Sequence, residues 1–408
     1  MPRTGLVLCL LAASVSPLSA QNSSTSPWLR FNAQAVPVWT TVDPIPGGGS
    51  LSELRVVHPV AMLEAGVLGG RLRFMGTANL EGWTIPDGEL APGVWGEGFF
   101  DRRHPHTYVH ELLVMLVDPF GDLPGGIRTS LTAGKGFAPF GTDDPMNRPP
   151  LRYPVNHHWS QILERAVVIA ALGAGPLSLE AGLFNGDEPE EPDQWPRLRR
   201  WGDSWSARLL VHPAGGVELQ ASFARVKSPD HRPGAGGIHR KWSLSARLER
   251  EVFGAPGYAL IEWARTSELD GFFVFHSALA EAQWSPGPHR IYYRFERTER
   301  PEEQRTMNLF RSLRPHLENS ILGTTRWTTH TAGYSMRLDA GRQFVLGPFV
   351  EATLGRASSV GGGVIIPEGL YGRETFETVS LGVRIMFGRP MHRMGRYGIL
   401  MPASAHSH

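Results

Sequence analysis

The chain predicts an all-β fold, a transmembrane antiparallel β-barrel, and three observations carry that prediction. An export-type leader comes first, apolar and polar side chains then alternate through many short segments, and turn residues punctuate the remainder. Between residues 203 and 211, Trp205, Ala207, Leu209 and Val211 share one face of an extended chain, and Ser204, Ser206 and Arg208 share the other. Between 241 and 249, Trp242, Leu244, Ala246 and Leu248 oppose Lys241, Ser243, Ser245, Arg247 and Glu249. One face suits lipid. The other carries too many charged and polar groups for a dry core and suits the wet interior of a barrel.

Residues 1–20 have a charged start at Arg3, an apolar run from Leu6 to Val15 and a small residue, Ala20, at the cut, so they read as a removable signal peptide. The one cysteine, Cys9, lies in that leader, which leaves residues 21–388 for the barrel without a disulfide or thiolate ligand. Residues 389–408 then form a flexible C-terminal tail, in which His406 and His408 supply too few fixed ligands for a metal. With 40 basic and 39 acidic residues, the net charge of +1 gives no global attraction to nucleic acid. The 47 glycines and 33 prolines favour turns over long helices.

The strands are expected at 30–40, 56–66, 70–80, 106–117, 127–137, 160–172, 176–185, 203–212, 216–226, 239–250, 257–267, 272–284, 288–297, 323–337, 342–355 and 376–388. That makes sixteen, and misassignment among the first two and last three would reduce the count to fourteen. Most approach the roughly 9–11 residues that a tilted strand needs to cross hydrocarbon. With a periplasmic N-terminus, the external connections become 41–55, 81–105, 138–159, 186–202, 227–238, 268–271, 298–322 and 356–375, nearly all long. Those at 67–69, 173–175, 213–215 and 338–341 become short periplasmic turns. In the last strand Glu377, Val379, Leu381, Val383, Ile385 and Phe387 face outward, which resembles the terminal strand of an outer-membrane protein with its closing aromatic residue.

The lumen-facing positions include Arg208, Glu218, Gln220, Lys241, Arg247, Glu262 and Arg384. The densest chemistry maps to the outer mouth: Asp101, Arg102, Arg103, His104, His106, His110 and Glu111 on one segment, with His157 and His158 on another. In extended chain His104 and His106 lie about 7 Å apart on one side, and His110 about 13 Å beyond. His104 and His106 are therefore candidate ligands for Cu²⁺, Zn²⁺ or Ni²⁺, with His157 or His158 and an oxygen from Asp101, Glu111 or Asp144. His110 would join them only through a bend. The competing reading is a hydrogen-bonded mouth network that holds inward-folded loops against wall carboxylates.

The stretches Asp101-Arg102-Arg103-His104-Pro105-His106, Asn156-His157-His158-Trp159 and Phe184-Asn185-Gly186-Asp187-Glu188-Pro189, followed by Asp203-Ser204-Trp205-Ser206-Ala207-Arg208, resemble an uncharacterised family of exported Gram-negative proteins that look like porin-like outer-membrane barrels. The resemblance implies an envelope barrel and names no substrate. Where similar proteins continue His-Pro-His with Asp, this chain has Thr107.

The expected function is a porin-like channel of the outer membrane, surrounded by lipid and passing small polar solutes or ions by passive diffusion, either alone or as a homo-oligomer. No cofactor is required. The alternative is a plugged barrel that binds a divalent transition metal at its mouth. A third reading, acyl-ester hydrolysis, would place Ser160 beside His157 or His158, although the chain carries no Gly-x-Ser-x-Gly elbow.

Overall fold

The computed structural model describes residues 27–45, 48–90, 102–103, 106–121, 123–189, 191–227, 237–303, 321–341, 343–361, 367–388 and 393–401. The expected signal peptide over residues 1–20, Asp101, His104 and the ends of the tail lie outside them.

The strands are β1 (Trp28–Asp43), β2 (Leu51–Val67), β3 (Leu72–Asn79), β4 (Val109–Val117), β5 (Arg128–Gly136), β6 (Arg165–Ala174), β7 (Leu177–Phe184) and β8 (Ser204–Val211). They continue as β9 (Val217–Lys227), β10 (Ile238–Val252), β11 (Ala255–Glu268), β12 (Phe273–Trp284), β13 (His289–Glu303), β14 (Ile321–Met336), β15 (Phe344–Gly361) and β16 (Thr375–Gly388). Each pairs antiparallel with its neighbours in sequence, and β16 pairs with β1 from Asn32↔Gly388 to Asp43↔Glu377. The sheet is therefore a closed sixteen-strand barrel with no free edge, the condition for an extended chain to cross lipid.

Alternation sets the two faces. On β8, Trp205 and Leu209 are exposed, whereas Ser204, Ser206 and Arg208 are buried. On β16, Val379 and Leu381 are exposed and Thr378 and Ser380 buried, as the sequence predicts. Phe387 packs outside between Phe31 and Phe344, with ring centroids 5.9 and 4.9 Å away. This aromatic group ties the closing strand to both neighbours near the periplasmic end.

All sixteen expected strands are present, but several connections are shorter than expected because ladders continue beyond the apolar belt. The β1–β2 pairing runs to Val42↔Leu51, so that external connection shrinks to 44–50. The β13–β14 ladder likewise continues through Glu299↔Arg326 to Glu303, where the Arg326 guanidinium lies 2.6 Å from the Glu299 carboxylate.

Two segments turn into the barrel and fill much of it. The first is the external connection 137–164, in which almost every side chain is buried, including Asp143, Asp144, Arg148, Arg152 and Trp159. The second is 393–401, where Met394, Arg396, Tyr397 and Met401 are buried. This corrects the expectation of a flexible tail for those residues. Their partners are inward side chains of β4, β5 and β9, together with the inward loop. Trp159 and Trp327 are buried as well, so neither belongs to an interfacial girdle.

Gly141 is the sharpest point of the inward loop. It sits at φ +65°, and a Cβ there would stand 1.7 Å from the Ser160 carbonyl oxygen. Its carbonyl accepts from Arg208 at 3.2 Å and Arg396 at 3.3 Å, and its N–H donates to Ser222 at 2.9 Å. Gly141→Ala is expected to force this turn out of place. Limited proteolysis of the detergent-folded variant should cut within 137–164 at sites resistant in the parent, while the boiling-dependent gel shift of the barrel persists.

Candidate functional site

The candidate site is the lumen and its filling. The expected lumen residues Arg208, Glu218, Gln220, Lys241, Arg247 and Glu262 are all buried and point inward, and Arg384 is half-buried on the inward face of β16. Several of the inward charges are paired directly. Arg208 Nε lies 2.5 Å from Glu180, and Arg294 Nε 2.7 Å from Glu281. Arg148, on the inward loop, lies 3.5 Å from Glu262 and 4.0 Å from Glu281.

The wall carboxylates also serve the backbone of the inward loop, which forms little regular structure and must satisfy its N–H groups elsewhere. Glu351 accepts from Leu151 N at 2.8 Å and from Arg152 N at 3.1 Å, while Glu296 accepts from Val155 N at 3.2 Å. Glu262 takes the Thr142 hydroxyl at 2.6 Å and the Asn156 amide at 2.7 Å. Wall cations cover carbonyls in return: Arg294 donates to Arg152 O and Lys241 to His158 O, each at 2.6 Å. The Trp159 indole stacks on Phe275 at 5.2 Å and donates to Glu299 O.

The tail is tied to both wall and loop. Arg393 donates to Glu218 through two nitrogens at 2.9 Å and to Asp143 at 3.1 Å, and Arg396 donates to Glu218 at 3.0 Å. Tyr397 donates to Glu111 at 2.7 Å and accepts from Phe137 N at 2.9 Å. Met394, Tyr397 and Met401 join Met62, Met75, Leu113 and Met115 in an apolar cluster on the inner wall. Beside them a cavity of about 330 Å³ is lined by Arg73, Arg128, Ser178 and His212 from the wall and by Gly398–Met401 from the tail.

The histidine segment departs from the extended geometry expected of it. The β3–β4 register shifts between Thr77 and Ala78, pairing Thr77 with Glu111 but Ala78 with Val109, so His110 is the extra residue of a bulge. His110 and Glu111 are consequently both buried. The His110 ring comes to 4.9 Å from His106, and His110 Nδ1 to 2.6 Å from Glu164. Glu164 also accepts from the Thr107 N–H at 3.2 Å and hydroxyl at 2.8 Å, and Lys135 donates to that hydroxyl at 2.5 Å.

His157 lies 6.1 Å from His106 and 4.5 Å from His158, centroid to centroid, and His158 is 3.8 Å from Glu188. Among the described residues, the group at metal-ligand spacing is His106, His110 and Glu164. The expected set of His106 with His157 and His158 is not that group, and His104 is not described. Sequence reading missed Glu164; its only signal is its place at the base of β6. Arg102 and Arg103 pair in a short ladder with Glu89–Leu90. Ser160 donates to Asn156 O at 3.3 Å inside the lumen, away from the lipid-facing surface that the hydrolase reading requires.

No family model and no curated protein matches the chain. Solved structures do. An anion-selective porin from Comamonas acidovorans matches with a TM-score of 0.52 and 11% identity, over 89% of this chain and 100% of that one. OprB of Pseudomonas putida matches with a TM-score of 0.52 and 10% identity, over 88% and 94%. OmpT of Vibrio cholerae in its trimer form matches with a TM-score of 0.51 and 9% identity, over 89% and 99%. At such identities the likeness concerns the fold: this chain has the sixteen-strand barrel architecture of outer-membrane porins.

Two neighbouring loop carboxylates titrate in opposite directions. Burial pushes Asp143 up, but Arg247 and Arg393 more than offset it and hold the group well below the usual carboxylate range. The stabilisation from Asp143 is therefore complete above its unfolded pKa of about 4 and is lost only as pH falls through the lower folded value. Burial carries Asp144 up to about 6. Its ionisation in the unfolded chain then costs stability increasingly between about pH 4 and 6, and the cost levels off above 6. Asp144→Asn is expected to stabilise the protein by on the order of 2 kcal/mol at pH 7.5 and by less at pH 5. Thermal unfolding in detergent at the two pH values checks this.

Proposed function

We propose that the chain is an outer-membrane channel for passive diffusion of small polar solutes or ions, with a narrow path bounded by the inward loop and the tail. The observation that carries this reading is the closed sixteen-strand barrel with an apolar outside and a charged inside in which basic and acidic groups pair, as Arg208 does with Glu180 and Arg294 with Glu281. Its partners are the lipid around the belt and the solute in the lumen. A homo-oligomer belongs to the same proposal, since one structure of this fold is described as a trimer form. Basic and acidic groups alternate along the wall, so the reading commits to polar solutes rather than to one sign of ion.

The tail lies inside the barrel, against Glu218 and Glu111 of the wall and Asp143 of the inward loop. A variant ending at Gly388 keeps Phe387 and the whole closing ladder. In planar bilayers the full chain is expected to insert with small unitary conductance and the shortened chain with a clearly larger one. Repeated insertion of both forms with no conductance would overturn the channel reading in favour of a plugged barrel.

The Glu218 contacts give a second check. Glu218→Gln weakens two pairings with Arg393 and one with Arg396, and breaking a buried ion pair costs roughly 3–5 kcal/mol. Conductance is expected to shift toward that of the shortened chain, with the strand content in circular dichroism unchanged.

A further inference from the structure

We propose that His106, His110 and Glu164 form a binding site for one divalent transition-metal ion of the Zn²⁺, Ni²⁺ or Cu²⁺ type, which pins the base of the inward loop to the wall. One ligand atom from each residue lies within 4.8 Å of the other two. Two imidazoles and a carboxylate suit a borderline cation, whereas Ca²⁺ and Mg²⁺ favour oxygen donors throughout. Three protein ligands with one position left for water is a familiar arrangement for Zn²⁺.

Three separate elements deliver the ligands. His106 ends the long external connection before β4, His110 is the bulged residue of β4, and Glu164 is the last residue before β6. All three are buried, so their positions are fixed by packing. His110 Nε2 has no hydrogen-bond partner among the described residues, a costly state for a buried imidazole nitrogen. Glu164 adopts φ +52°, in the left-handed region that a non-glycine residue seldom occupies. Strain of this kind persists where surrounding structure holds a functional group in place. A further imidazole, that of His157, stands 6.1 Å from His106, centroid to centroid.

Lys135 opposes the ion. Its ammonium donates to Thr107 Oγ1, which in turn donates to Glu164, so a cation already stands one residue away from the proposed ligand. This gives the proposal a consequence that a purely structural hydrogen-bond cluster lacks: removing the Lys135 charge should tighten metal binding.

The test is isothermal titration of the detergent-folded full-length chain with Zn²⁺, repeated on protein refolded with Zn²⁺ present because the ligands are buried. His406→Ala and His408→Ala are included throughout to remove the terminal histidines. One ion per chain is expected. His110→Ala and Glu164→Gln should each weaken binding by more than about tenfold, and Lys135→Met should strengthen it. Glu164→Gln is nearly isosteric and guards against loss of binding through misfolding, with the boiling-dependent gel shift confirming the barrel in every variant. No Zn²⁺ binding by the parent, or unchanged affinity in both His110→Ala and Glu164→Gln, would overturn the site.

Discussion

The structure depends on the need to satisfy a buried, irregular backbone inside the barrel. Residues 137–164 cross the lumen with only single helical turns, so their N–H and C=O groups lack the partners that a strand or long helix supplies. The wall meets that need with Glu351 and Glu296 for backbone donors and Arg294 and Lys241 for acceptors, while Glu262 takes side-chain donors of the loop. A buried unpaired peptide group costs about 1–3 kcal/mol, and an unpaired charge more. Wall and loop therefore specify each other: the loop charges Asp143 and Arg148 lie against Arg247 and Glu262, and the loop amides against the remaining carboxylates.

The same logic explains why the interior is divided. The inner faces of β10 to β15 are charged and receive the polar loop, while those of β2 to β6 carry Val60, Met62, Met75, Leu113, Met115 and Ile169 and receive the tail and the start of the loop. Each large apolar side chain shielded there contributes roughly 1.5–3 kcal/mol. An apolar lumen wall facing water would waste that stabilisation, so its presence implies a protein occupant. Met394, Tyr397 and Met401 are that occupant.

Much of the wall was legible in the sequence. Strict alternation in segments such as 203–211 fixes which side chains face lipid, and all sixteen strands and the seven assigned lumen residues follow from that period. The contents of the barrel were less legible. One available signal was β4: between Val109 and Val117 it is apolar on both faces, with Leu112, Val114 and Leu116 outward and Leu113, Met115 and Val117 inward. Such a strand cannot border water on either side. The His110 bulge left no comparable trace, because a register shift depends on the neighbouring strand and not on the bulged residue. Glu164 was invisible for a similar reason, since its partners lie 54 and 57 positions away. Tyr397 and Arg396 were hidden by chain position, which suggested a free end.

The two occupants differ in how firmly they are held. The inward loop is tethered at both ends, by β5 and β6, so little freedom remains for it to recover by leaving. Its fixed turn at Gly141 and its many wall bonds make it part of the rigid barrel. The tail leaves the wall at the end of β16, and ordering its residues removes conformational freedom at roughly 1–2 kcal/mol each. Against that stand the Glu218 and Asp143 pairs and three large buried side chains. Buried pairs of this kind are screened little by salt, so ionic strength alone is a weak lever on the tail. Its release would require losing apolar contact and charge pairing together. Of the two occupants, the loop is built into the wall on both sides, through β5 and β6, whereas the tail follows the last strand of the closing ladder.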